Sequence, residues 1–149
     1  MREELKQKLL KHINFVEAEI GDYPKFKTLT WKEYSDDRDK RRNVERWTEN
    51  IINSSIDIAK AILILEGKNL PDNYKEIVLA VSTIKELEID SADQLSRWVK
   101  FRNILAHEYL DIKWTSIKKF IAETEPLYRT FLDKAKEYLE IKIAEDQKK

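Results

Sequence analysis

Cysteine is absent from this chain of 149 residues. Its absence excludes disulfides and thiolate metal sites, and fits a cytoplasmic protein. Glycine occurs twice and proline three times, too rarely for the frequent tight turns of a β-rich fold. No apolar run approaches the roughly 20 residues of a membrane-spanning helix. The opening MREELKQKLLKH is charged and has no signal-peptide core, so the expectation is a cytoplasmic protein with no membrane association. Net charge is missing as well, 28 basic residues against 28 acidic. Any attraction for nucleic acid must therefore come from a local cluster of cations. Internal repeats and low-complexity tracts are also absent.

What remains is a chain with 38% charged and 42% hydrophobic residues, long enough to bury a core as one domain spanning 1–149. Its periodicity predicts an all-α fold, an antiparallel bundle of about five helices with a four-helix up-and-down core. Leu5, Leu9, Ile13, Val16 and Ile20 share one face of a first helix. Gly21 is expected to end it in a left-handed cap, with Pro24 preventing its continuation. His12 falls beside that face and has no second ligand at metal spacing, so a boundary position is expected and no metal site. Asp22–Leu29 reads as a loop whose Tyr23 and Phe26 tuck against the bundle. Thr30 and Glu33 form a T-x-x-E capping box before a helix at Trp31.

The run Asp36–Arg46 is charged all round. It reads as a solvated helical surface or a kinked junction, and Arg41, Arg42 and Arg46 offer a second reading as a phosphate path. From Val44 to Leu65 two apolar stripes lie side by side: Val44, Trp47, Ile51, Ile58, Ile62 and Leu65, and then Ile52, Ile56, Ala59 and Leu63. A helix apolar on two sides has neighbours on two sides, which makes this the central helix. Gly67 is its expected stop. A third helix follows the Asn69–Asn73 turn with Tyr74, Ile77, Val78, Val81 and Ile84 inward. Ile89–Asp90–Ser91 breaks it and caps a fourth, with Leu95, Trp98, Val99 and Leu105 inward and Phe101 and Ile104 on an adjacent strip. Asp111 is expected to cap the last helix, which Pro126 should kink or split.

Between the last two helices stands Arg102-Asn103-Ile104-Leu105-Ala106-His107-Glu108-Tyr109. Arginine offers a planar fork of donors to phosphate, histidine exchanges protons near neutral pH, and tyrosine carries a hydroxyl open to binding or modification. In an unbroken helix Arg102 and His107 lie about 140° apart around the axis, so they share no face. Within one chain they converge only if the helix ends or distorts near Ala106. Otherwise the motif of one chain meets that of a second across a two-fold interface. Spacing alone also admits a purely structural account, because Arg and His near a helix C-terminus interact favourably with its dipole.

The pattern Arg, Asn, three residues, His, any residue, Tyr resembles the R-N-x-x-x-H-x-Y signature of the HEPN superfamily, and the trailing Tyr resembles its HepT branch, also labelled nucleotidyltransferase substrate-binding protein. Leu110-Asp111 and the Asp36–Arg46 run are similar to that branch too. The resemblance implies a homodimeric toxin of a two-gene system, a metal-independent endoribonuclease that needs no cofactor. His107 would be its general acid or base, Arg102 would hold the scissile phosphate, and Asn103 and Tyr109 would support the cleft. It implies a minimal nucleotidyltransferase as antitoxin, which attaches AMP to Tyr109. The exposed aromatics Trp98 and Phe101 are candidate dimer contacts. The alternative is a non-catalytic subunit that binds a substrate or nucleotide for the nucleotidyltransferase.

Overall fold

A computed structural model describes residues 2–107 and 109–148, with the side chain of His107 outside the described part. Every regular element in it is a helix, and no strand occurs among the described residues. The elements are α1 (Arg2–Ile20), α2 (Tyr23–Lys27), α3 (Trp31–Asp36), α4 (Arg38–Leu65), α5 (Tyr74–Val81), a 3-10 turn (Lys85–Leu87), α6 (Ala92–Trp98), α7 (Phe101–His107), α8 (Leu110–Glu123) and α9 (Glu125–Gln147).

The all-α expectation holds, but the expected count of about five does not. The expected third and fourth helices are short, and the fourth is cut in two at Val99–Lys100. The last is split at Thr124, with Pro126 in the first turn of α9, where its missing N–H costs nothing. The expected Asp22–Leu29 loop contains α2, with Pro24 in its first turn.

The central helix begins at Arg38 rather than Val44, because Asp37 accepts the amides of Asp39 and Lys40 at 3.0 and 3.1 Å and so caps it. Every member of both apolar stripes of α4 is buried. The helix packs on α1, α3, α5, α7 and α8. Its middle hydroxyls bond back into the helix, Thr48 to the Val44 carbonyl and Ser55 to that of Ile51.

Pairings between helix ends fix directions. Arg2 donates to the Leu65 carbonyl at 3.0 Å, and the Trp47 indole donates to that of Glu19 at 2.7 Å, so α1 and α4 are antiparallel. Lys6 pairs with Asp146 and Lys136 with Glu17, which makes α1 antiparallel to α9 as well. Glu66 accepts from Tyr138 at 2.7 Å and pairs with Lys142 at 3.1 Å, joining the ends of α4 and α9.

Local signals explain the ends. The capping box at Thr30 and Glu33 is present, both bonds at 3.2 Å. Asn73 caps α5 by accepting the Glu76 amide. Gly67 stops α4 with φ +71°, and the bonds Lys68 N–H to Leu63 and Gly67 N–H to Ile64 complete a Schellman motif. Gly21, expected to do the same, has no left-handed φ. Its amide bonds the Glu17 carbonyl at 3.2 Å, so the chain leaves α1 on right-handed turns into α2.

Two more caps differ from expectation. Ser91 stands at the N-cap of α6 without a side-chain cap bond. Asp111 lies inside α8, where its carboxylate accepts the Ile112 amide at 2.9 Å; Tyr109 holds the N-cap position.

Candidate functional site

The site begins with the break between α6 and α7. Lys100, Arg102 and Asn103 donate to the carbonyls of Arg97, Val99 and Lys100, at 3.3, 3.3 and 3.1 Å. These bonds span three residues instead of four, a tight 3-10 turn. An aromatic cluster accompanies it: Trp98 meets Phe120 edge-on with ring centres 5.4 Å apart, and Phe101 stacks on Phe120 at 5.8 Å. Phe101 is buried and Trp98 half-buried against the core. The expectation of these two as exposed aromatics is corrected: Phe101 is buried, and Trp98 is half-buried and keeps only part of its surface accessible.

The break re-aims α7 and decides the setting of Arg102. That side chain is half-buried, with its guanidinium 4.5 Å from the ring centre of Tyr74. Lys60, from α4, lies 5.0 Å from the same ring. Tyr74 was expected inward, but it is 41% exposed. It is the first residue of α5, held at the rim by the Asn73 cap, while Ile77, Val78 and Val81 carry the burial. The ring therefore serves as a platform for cations.

Asn103 is exposed on α7, and Tyr109 is 81% exposed in the connection to α8. His107 closes α7, and its side chain lies outside the described residues. α7 runs unbroken from Phe101 to His107, where it ends, and the break in the helix lies upstream of Arg102. Positions 102 and 107 are thus about 140° apart on one helix. The structure brings Arg102 to Tyr74 and does not bring positions 102 and 107 onto one face of α7.

The Asp36–Arg46 run is both of the things its composition allowed, a break at Asp37 and then solvated helix. Arg41 donates to the carbonyls of Tyr34 and Ser35 at 3.3 and 3.0 Å, closing the end of α3. His12 has the expected boundary position. Among the described residues no three His, Asp or Glu side chains cluster as a metal site would require, and no helix is long and apolar enough to cross a membrane.

The sequence model of the family described as "Ribonuclease HepT-like" matches residues 10–135, a span that contains α4, the α6–α7 break and the whole Arg102–Tyr109 motif. The chain belongs to the HepT-like ribonuclease family. No curated protein matches it closely. Membership of a ribonuclease family directs attention to cationic groups near the motif, and sequence reasoning did not single out three of them. Arg97, Lys100 and Lys119 line one wall or the other of a 740 Å³ cleft beside α7. Their only sequence signal was the seven-residue step from Lys100 to His107, which returns to nearly the same side of a helix.

Proposed function

We propose that this HepT-like chain is the toxin of a two-gene system, a metal-independent endoribonuclease that works as a homodimer. Arg102 holds the scissile phosphate and stabilises its developing charge. His107 moves the proton at the ribose 2′-hydroxyl or the leaving oxygen. Asn103 orients one of the two, and Tyr109 lines the cleft. The observation that carries the dimer is the continuity of α7. With positions 102 and 107 on different sides of one helix, a two-fold pairing is the simple way to face the Arg102 of one protomer toward the His107 of its partner.

The control of this toxin is assigned to a minimal nucleotidyltransferase that transfers AMP to Tyr109. Tyr23, Tyr34, Tyr128 and Tyr138 are buried, and burial holds their phenols above the usual tyrosine range. Tyr74 is covered by two cations, whereas Tyr109 is 81% exposed. Of the six tyrosines it is the most exposed, and so the most open to a second enzyme. An AMP there adds negative charge beside the motif and opposes an RNA backbone.

The test is cleavage of mixed RNA in excess chelator by wild type, His107→Ala and Arg102→Ala, each shown folded and in the same oligomeric state. Cleavage by wild type alone is the expected result. Equal cleavage by all three removes the site assignment. Absence of cleavage together with tight binding of the nucleotidyltransferase identifies the chain instead as a non-catalytic binding subunit.

A further inference from the structure

A ribonuclease must hold a polyanion, and this chain has no net charge with which to do so. The attraction must come from cations gathered in one place and left unpaired. Many surface cations here are already engaged. Lys27 and Arg129 share Glu125, Lys40 pairs with Glu33, Lys136 with Glu17, Lys113 with Glu45, and Lys142 with Glu66.

The 740 Å³ cleft is different. Arg97 and Lys100 stand on the α6–α7 side and Lys119 on the α8 side. All three are exposed, and none forms an ion pair among the described residues. Among the described residues Glu123 is the one carboxylate in the lining. The lining also includes the half-buried Trp98 and Ile104, with the buried Phe101 beneath. Phosphates beside cations and bases over aromatics are the two needs of single-stranded nucleic acid.

Its placement relative to the motif is the second observation. His107 follows Ile104 by three residues, one helical step of about 4.5 Å along α7 and about 60° around it. On α8 the lining residues Ser116, Lys119 and Glu123 lie on one face, and Ile112, four residues before Ser116, continues that face toward Tyr109 and is exposed. The cleft therefore leads along both helices to the connection that carries the motif. Arg102 is not in its lining.

We propose that this cleft is an RNA-binding subsite, in which Arg97, Lys100 and Lys119 hold backbone phosphates of a single-stranded segment that continues to the motif. The proposal rests on the ribonuclease reading for its substrate class. Its dimensions suit a few nucleotides of single strand, being in the range of about 300–1,000 Å³ typical of small-ligand sites.

The test measures binding of a short fluorescent single-stranded RNA as a function of salt, with His107→Ala protein as parent so that the probe stays intact. For single strands the slope of log affinity against log salt changes by about 0.7 for each phosphate contact. Adding Arg97→Ala and Lys119→Ala to the parent should weaken binding and flatten the slope by about 1.4. Adding Lys8→Ala and Lys11→Ala, on α1 away from the cleft, should leave both unchanged. Thermal unfolding checks that each variant is folded.

Unchanged affinity and slope in the cleft variant overturn the proposal, as does a parent that binds no RNA. Unchanged RNA binding with lost self-association or lost nucleotidyltransferase binding also overturns it, and makes the cleft a protein-docking surface. A wild type that fails to cleave RNA while the cleft variant still shows the flattened slope defeats the ribonuclease reading and supports the subsite.

Discussion

The guanidinium of Arg102 lies 4.5 Å from the ring centre of Tyr74, a residue 28 positions earlier in the chain and on a different helix. A cation over an aromatic face is worth about 0.5–2 kcal/mol, depending on exposure. It also removes rotamers from a long side chain whose position, in the proposed function, must match a phosphate. Tyr74→Leu is expected to lower kcat/KM for RNA by about two- to thirty-fold, the same energy expressed as rate. Tyr74→Phe, which keeps the ring face, should stay near wild type. Equal losses in both variants would assign the effect to the hydroxyl instead. The ring-current shift of the Arg102 Nε–H proton reports the stacking independently of activity.

Tyr109→Phe is expected to abolish AMP attachment by the cognate nucleotidyltransferase and to leave the unfolding midpoint where it is, because the side chain is 81% exposed and makes no cap bond. Intact mass after incubation with ATP and the partner reads the first. A thermal melt reads the second. Retention of the adduct in Tyr109→Phe would move the modification to another residue.

At the other end of α8, Thr124 is buried, bonded to the Phe120 carbonyl at 2.6 Å and to the Tyr23 hydroxyl at 2.7 Å. Thr124→Val leaves the buried Tyr23 hydroxyl without this partner, and the expected cost is about 1–3 kcal/mol. Tyr23→Phe removes the phenol and leaves Thr124 its bond to Phe120, so about 1 kcal/mol is expected. Urea unfolding of the two variants tests the order. A smaller loss in Thr124→Val would mean that the hydroxyl finds water.

The Glu66 carboxyl is placed where burial alone would raise its pKa, but the Tyr138 hydroxyl and the Lys142 ammonium hold it below the ordinary value. A depressed carboxylate contributes stability above its unfolded pKa, about 4.3, and loses it as pH falls through the folded value. The Lys142 ammonium is shifted the opposite way: burial would lower its pKa, but bonds to Glu66 and Glu145 raise it, so it stays charged across the acid range. Glu66→Gln should therefore be less stable than wild type at neutral pH, with the gap closing below about pH 4. Equilibrium unfolding at several pH values measures the gap.

Much of the scaffold was legible in the sequence because its signals are local. The two stripes of α4, the Thr30 and Asn73 caps, the Gly67 stop and the split at Pro126 depend on residues within one or two turns of each other. The errors arose where a local signal met a tertiary demand. Gly21 had the composition of a left-handed cap, but the chain turns directly into α2, which buries Tyr23 and Phe26. Tyr74 matched the inward spacing of α5, but as its first residue it lies at the rim. Phe101 matched the outer strip of an amphipathic helix, but packing on Phe120 accompanies a break of that helix and buries it.

The motif itself was visible through its resemblance to a family signature, and the conflict between positions 102 and 107 followed from about 100° per residue in a helix. The partner of Arg102 was not visible. By itself the sequence determined an all-helical chain, the central helix and the segment that carries the family motif, because apolar periodicity, caps and family pattern are properties of neighbouring residues. Only the tertiary structure decided that Arg102 and Lys60 both lie against the ring of Tyr74, and that Arg97, Lys100 and Lys119 line one cleft. Those juxtapositions depend on how far each helix is rotated about its axis, and that rotation is set by the packing of side chains distant in sequence.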